Sequence, residues 1–438
     1  MYLGIHDPFT VGIIGVVLLV LLVMIGVRVV FAATIVGLLG LMEIIGWEAG
    51  AGMVGTIPHS KSVTYALSVL PMFILIGYLA YHAGITRQLF DAARKWIGWV
   101  PGGLAVATVM ATAGFAAVSG ASTATAAVFA RVAIPEMLKY GYDRRLAAGV
   151  VAAGGTLATL IPPSAILVIY AIIVEESVGA LLLAGFIPGI VSALIYGAII
   201  MIRVGINPKL GPPVGGFSWG DRFRAIPGVF PIVIVIAIII SAVYLGWATP
   251  TEAGALGSFV VLVMAVWRGM RWPTLREALM ETAKLTVMIF SLIWGVLVFV
   301  RFLGFSGLPA AFTQWISTID APPIVILLCI LMGYTVLGMF MDAIGMLLLT
   351  LPVVYPAVMA LGYDPIWFGI IVVKMAEVCL ITPPIGLNCF VVNGVRPDIP
   401  LSDVFRGIAL FFIADVITVG VLIAFPDIIL WLPKTLMR

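Results

Sequence analysis

Residues 119–164 read SGASTATAAVFARVAIPEMLKYGYDRRLAAGVVAAGGTLATLIPPS. The stretch opens on five small residues, Ser119-Gly120-Ala121-Ser122-Thr123, and closes on a double proline, Ile161-Pro162-Pro163-Ser164. Between them stand Pro135 and the turn Gly141-Tyr142-Asp143. A displacement of 221 residues carries Pro101 onto Pro322 and Pro135 onto Pro356. It also carries Gly141-Tyr142-Asp143 onto Gly362-Tyr363-Asp364, and Pro162-Pro163 onto Pro383-Pro384. The identities that survive are those that shape backbone: proline, glycine and turn residues. One ungapped offset over so many breakers is an internal repeat. Two halves with breaks in register are the pattern of a carrier whose site lies at the breaks.

The solvent for this chain is lipid. Of 438 residues, 63% are hydrophobic and 10% are charged, whereas soluble domains carry about a quarter charged residues. The net charge of +3 comes from loops and does not point to nucleic acid. Cys329, Cys379 and Cys389 all fall in apolar runs and read as buried small hydrophobes rather than a disulfide framework. The first ten residues lack the basic flank of a signal peptide, so the first apolar run reads as a retained span.

Crossing about 30 Å of hydrocarbon takes roughly 20 apolar residues. Such runs lie near 11–27, 30–46, 67–83, 144–175, 180–202, 227–247, 250–267, 284–303, 364–395 and 407–431. Two more, 101–138 and 322–356, are interrupted near Gly120 and Gly338 and read as re-entrant helical hairpins. Most basic residues, from Arg28 through Arg144 and Arg145 to Arg406, then fall on one side, the cytoplasm. The loops 47–66, 175–180 and 304–322 on the other side carry only Lys61. The expected fold is an all-α polytopic membrane protein of two inverted repeats, 1–205 and 227–438, joined by a linker at 206–226. Each repeat holds about five spans and one hairpin, and both termini face outward. Segments 86–98 and 273–284 read as amphipathic helices on the cytoplasmic lipid surface, or as solvated turns before a span.

A proline removes a backbone donor, and two in succession leave carbonyls near Ala158–Ile161 without partners. Carbonyl and hydroxyl oxygens suit a hard cation. Thr159, Ser164 and the tip Ser119–Thr123 supply hydroxyls, and Gly120 lets another backbone come close. The second half offers Thr382 before Pro383, with Asn388 beyond it, and a tip running Gly338–Asp342. A plain kink is the alternative for either proline pair alone. Helix N-termini near Ser122 and Asp342 would attract a carboxylate, and Asp342 could equally cap its own helix. Lys374 and Glu377, three residues apart, read as a helical ion pair or as part of the coupling machinery. Arg131 and Glu136 are expected at the cytoplasmic mouth of the first hairpin, and Arg301 near the outer end of its span. His6, His59 and His82 are too far apart to make a metal-enzyme site.

These motifs resemble a known family. Residues 114–171, TPTEAGALG (249–257), GMFMDAIGMLLLTLPVVYP (338–356) and ITPPIGLNCFVVNG (381–394) look like the signature of the TRAP (tripartite ATP-independent periplasmic) transporter large membrane subunit. The resemblance covers essentially the whole chain. It implies sodium-driven secondary uptake of a carboxylated organic acid, a dicarboxylate, sialic acid or similar, in the bacterial inner membrane. It also implies two partners, a separate four-helix membrane subunit and a periplasmic substrate-binding protein. Similar architecture in elevator-type anion carriers implies one sodium site from Ser119, Gly120 and Ser122 with Pro162–Ser164. A second would form from Gly338 and Asp342 with Thr382 and Pro383. Substrate is then expected between Ser122, Thr123, Asp342 and Asn388. Residues 101–175 plus 322–395 would move against a frame of the remaining spans.

Other classes fit less well. An intramembrane enzyme needs a nucleophile–base pair or metal cluster at membrane depth, and none is evident in the sequence. A channel has no need of paired inverted half-sites. A sodium- or proton-coupled organic anion carrier working without a binding protein remains the alternative.

Overall fold

Residues 7–436 are described by a computed structural model, the side chains of Lys61 and Ala66 excepted; His6, the Lys61 side chain and both chain ends lie outside the described residues. The first half consists of α1 (Pro8–Met24), α2 (Val29–Ile45), α3 (Trp47–Ser62), α4 (Val69–His82), α5 (Ile85–Ile97), α6 (Gly103–Ser119), α7 (Ser122–Lys139), α8 (Arg144–Thr156), α9 (Ala165–Val174) and α10 (Val178–Ile206). A short α11 (Trp219–Ala225) follows. The second half consists of α12 (Phe230–Tyr244), α13 (Pro250–Trp267), α14 (Trp272–Ser306), α15 (Leu308–Thr318), α16 (Pro323–Gly338), α17 (Ala343–Ala360), α18 (Pro365–Ile381), α19 (Leu387–Val395), α20 (Leu401–Ala424) and α21 (Asp427–Leu436).

The repeat is structural. Helices α7 and α17 begin 221 residues apart, at Ser122 and Ala343, and end 221 apart, at Lys139 and Ala360. Both proline pairs contain a cis bond. The same cap recurs in register: Asp143 accepts from the backbone N–H groups of Arg145 and Leu146, and Asp364 from those of Ile366 and Trp367. Each carboxylate pairs two N–H groups that the first helical turn would otherwise leave open. In the TPTEAGALG segment, Thr249 and Glu252 form a reciprocal capping box with Pro250 at the first helical position.

Both interrupted runs are hairpins. The amide of Leu104 at the start of α6 donates to Tyr142 Oη, 3.0 Å away, just past the end of α7. A small separate core gathers Ile326 at the start of α16, Ala357 near the end of α17 and Ile316 of α15. In each case the chain enters and returns on one side. The halves are inverted. Helix α8 starts at the end where Asp143 N donates to Leu210 O and Arg144 and Arg145 pair with Asp403. Helix α9 ends at the opposite face, where Tyr170 Oη donates to Pro365 O at the start of α18. The first end also collects the linker, with Gly102 N bonded to Gly211 O and Val214 N to Gly98 O. There Arg396 grips Asp398 with two hydrogen bonds and holds its carboxyl below the usual carboxylate range.

Five described helices, α10, α13, α14, α17 and α20, are each long and apolar enough to cross a membrane alone. Of these, α17 is a hairpin arm by the contacts above. Shorter α1, α2, α4 and α12 and the broken pairs α8–α9 and α18–α19 supply the rest of the crossings.

Several expectations change. Residues 47–66 and 304–322 are not plain loops. They carry α3 and α15, whose mixed composition and short length gave no span signal. Of the two readings of residues 273–284, turns before a span is the one the structure shows, not a separate surface helix. These residues are the first turns of α14, 35 residues long, because no breaker interrupts the run after Pro273. The last span is Leu401–Ala424 rather than 407–431, since Pro426 ends one helix and α21 starts anew. The linker carries a short capped helix, α11. Cys329 is exposed on the helix surface, unlike buried Cys379 and Cys389.

Two bodies emerge from the packing. Helices α1–α4 and α12–α14 pack mainly on one another, and α6–α10 with α16–α20 form the other group. In the second body α8 crosses α20 at Gly149 and Gly407. A Cβ on Gly149 would lie 2.5 Å from the Gly407 backbone, and one on Gly407 would overlap the Arg145 carbonyl oxygen. Gly407→Ala should therefore destabilise the protein by about 1–3 kcal/mol through overpacking, read as a lower thermal unfolding midpoint in detergent. An unchanged midpoint would contradict the crossing.

Candidate functional site

The first hairpin tip is a left-handed turn pressed on the first break. Gly120 has φ +57°, and a Cβ there would stand 2.5 Å from the carbonyl oxygen of Pro163. Only glycine suits both the dihedral and the approach. Ser119 Oγ lies 2.8 Å from Thr125 Oγ1, closing the tip internally. Across the break, the Ser164 hydroxyl donates to Thr159 O and its oxygen caps α9 by accepting from Leu167 N at 3.3 Å. Pro163 and Ser164 are buried and Pro162 is partly exposed.

The two halves interlock at this tip. Asn388, expected to serve the second half, is fully buried on α19. Its Nδ2 donates to Ser122 Oγ at 2.8 Å and to Ala152 O at 3.0 Å. Its Oδ1 has no hydrogen-bond partner. Helix α7 thus packs on α19, and α17 packs on α9, so each hairpin leans on the other half's short helix. Thr123, one residue past Ser122, is half-buried.

The second tip and break are built differently. Asp342 caps α17, its Oδ2 accepting from Gly345 N at 3.0 Å. Gly338 is buried against Cys379, whose sulfur occupies the space a side chain would need. Thr382 Oγ1 donates to Val378 O at 2.6 Å within its own helix. Pro383, Pro384 and Ile385 are exposed, whereas Ile161, Pro163 and Ser164 are buried. The first tip and break therefore form a closed cluster, and the second break lies open.

At the first tip and break the oxygens are neutral: hydroxyls, carbonyls and one amide; the second tip adds the Asp342 carboxylate. The protons of Ser164 and Thr382 go to protein carbonyls, so the oxygens keep lone pairs for a cation. A neutral, oxygen-only donor set suits a hard, weakly charged ion and not a thiolate- or imidazole-loving metal.

A crevice of about 150 Å³ leads away from the first tip. Ser119 and Ala121 line its inner end. Tyr78 and Tyr81 of α4 and Glu281 of α14 form one wall, and Arg131 of α7 the other. Arg131 Nη1 donates to Tyr81 Oη at 3.3 Å. Glu281 pairs with His82 at 2.8 Å. Glu136 is held by Arg94 of α5 at 2.9 Å.

The sequence profile of the family described as "Tripartite ATP-independent periplasmic transporter, DctM component" matches residues 13–428. The chain belongs to this family of TRAP transporter large membrane components. Among its relatives, the C4-dicarboxylate TRAP transporter large permease of Pseudomonas aeruginosa is 35% identical over 377 residues, covering 85% of this chain and 87% of that one. The sialic acid TRAP transporter large permease of Vibrio cholerae is 31% identical over 373 residues, covering 84% and 86%. The ectoine TRAP transporter large permease of Halomonas elongata is 31% identical over 374 residues, with the same coverage. In fold, the chain is similar to the Alcanivorax borkumensis YdaH transporter, with a TM-score of 0.59 at 14% identity, over 97% of this chain and 99% of that one. A TRAP large component is a multi-pass membrane transport protein and not an enzyme.

Sequence reasoning located both tips and both breaks but missed what joins them. The Lys374–Glu377 pair also includes Asp415 of α20, 2.7 Å from Lys374 Nζ. Tyr196 of α10 donates to the same Asp415 oxygen at 2.6 Å. An aspartate inside the run FFIADVITVG was the available signal, since an acid at membrane depth needs a partner.

The bond from Asn388 to Ser122 gives a direct check. Asn388→Leu should lower stability by about 2–3 kcal/mol, since it removes two buried hydrogen bonds. In a double-mutant cycle with Ser122→Ala the pair should couple by about 1 kcal/mol. Strict additivity in thermal or denaturant unfolding would contradict the contact.

Proposed function

We propose that this TRAP large component carries out sodium-coupled uptake of a carboxylated organic acid across the bacterial inner membrane. It would work with a separate small membrane subunit and a periplasmic substrate-binding protein. The observation that carries the reading is the pressed contact of Gly120 on Pro163. It gathers neutral oxygens around a broken helix at membrane depth, a donor set suited to a hard cation. The names of the relatives support the substrate class, since a C4-dicarboxylate and sialic acid both carry carboxylates.

In this reading Ser119, Gly120, Ser122, Pro162 and Ser164 hold one sodium ion. Gly338, Asp342, Thr382 and Pro383 hold another. Substrate lies near Ser122, Thr123, Asp342 and Asn388, its carboxylate facing a helix N-terminus. The basic end of the bundle is cytoplasmic, and the crevice from Ser119 to Arg131 opens toward it. Arg131 offers a positive charge on the path by which an anion would leave.

The moving part is the second body, working as an elevator against the frame of α1–α4 and α12–α14. The expected division at 101–175 and 322–395 is extended here. Residues 180–202 and 407–431, expected in the frame, pack as α10 and α20 on the broken helices. Both belong to the body that carries the site. Helices α5 and α15 bridge body and frame.

Proteoliposomes holding the large and small components, with binding protein outside, provide the test. Substrate should accumulate only under an inward sodium gradient and only when all three proteins are present. Equal uptake with potassium or a proton gradient alone would refute sodium coupling. Uptake without the binding protein would favour an autonomous organic anion carrier.

A further inference from the structure

At the centre of the second body lies a charged cluster with no exposure to solvent. Lys374, Glu377, Asp415 and Tyr196 are each 0% exposed, and Thr159 is 1%. Lys374 Nζ pairs with Glu377 Oε2 and, at 2.7 Å, with Asp415 Oδ1. Tyr196 Oη donates to Asp415 Oδ1, and its ring lies 5.4 Å from Lys374 Nζ. Glu377 Oε1 and Thr156 O each lie 2.9 Å from Thr159 Oγ1 and share its one proton. Thr159 belongs to the break of the first half, 218 residues away in sequence.

This arrangement is not repeated. The residues 221 positions before Lys374, Glu377 and Asp415 are Ala153, Thr156 and Leu194. A two-fold repeat therefore carries one cluster, placed where the halves meet. Replacing a buried ion pair by packed hydrophobic residues is often neutral or stabilising. Stability alone is thus a weak account of two acids and a lysine at membrane depth.

We infer that Glu377 is a positioning residue for the first break. Through the Thr159 hydroxyl it fixes the backbone of Thr159, whose carbonyl is already joined to Ser164. Lys374 and Asp415 fix Glu377 in turn, from α18 and α20. The first ion site is thereby tied to the helix that leads into the second break at Thr382. The inference rests on the sodium reading of the first break.

The test uses the full-length protein with its small subunit. Two quantities are read: thermal stabilisation by sodium over potassium at equal ionic strength, and the sodium dependence of uptake. Thr159→Val keeps the shape and every charge pair but removes the link, together with the local bond to Thr156 O. Glu377→Gln keeps an acceptor but weakens it. Thr159→Val should raise half-saturating sodium about fivefold or more in both readouts, and Glu377→Gln should raise it less. Should Glu377→Gln fail to accumulate, Asp415→Asn takes its place, since it loosens the hold of Lys374 on Glu377 without touching Thr159, and it too should raise half-saturating sodium. Unfolding midpoints that drop in potassium while half-saturating sodium stays at the wild-type value would show a merely structural cluster and overturn the inference. No sodium-specific stabilisation in the wild type would overturn the sodium site itself, and this inference with it.

Discussion

Backbone carbonyls released by a proline pair in lipid must find partners, and this constraint shapes the molecule. Each pair removes two donors from a helix at membrane depth. At the first break the answer is local and tight. Gly120 brings the hairpin tip against Pro163, and Ser164 bonds back to Thr159. The hairpins exist because something must fold back to meet the breaks. The glycine exists because a side chain would hold the two backbones apart.

The repeat supplies the same parts twice, and the parts are used unequally. The first break is buried and the second is exposed. Helix α5 packs on the first arm of its hairpin, and α15 packs on the second arm of its own. Two similar chains in two arrangements are what alternating access requires, since exchanging the arrangements yields the opposite-facing state. The contacts that cross between the halves are those such an exchange must preserve. Among those within the second body are Asn388 with Ser122, Glu377 with Thr159, Tyr196 with Asp415, and Arg145 with Asp403. Each joins residues more than 200 positions apart, and all lie within one body.

Prolines, glycines and turn residues made the repeat, the hairpins and both breaks legible in the sequence, because their effect on backbone is local. Helices α3 and α15 stayed hidden because neither has the length or apolarity of a span. The charge cluster was half visible. Lys374 and Glu377 sit one turn apart on one helix, but Asp415 lies in an apolar run, and its partner Tyr196 is 219 residues away. Asn388 was visible as a polar residue after a break. Nothing local could show that it reaches the opposite hairpin, because that bond depends on how the inverted halves pack.

The central claim is that both hairpins and both broken helices form one rigid body that moves against the frame. Spin-label pairs test it most directly, with exposed Cys329 replaced by serine. One pair joins Lys139 on α7 to Ala360 on α17, within the body. The other joins Lys139 to Arg268 beside α13, between body and frame. Electron–electron distance distributions are compared in potassium and in sodium with substrate and binding protein. The account predicts that the body-to-frame distribution shifts by more than its width while the within-body distribution stays fixed. A within-body change as large as the body-to-frame change, or no change in either under conditions that support transport, would contradict it.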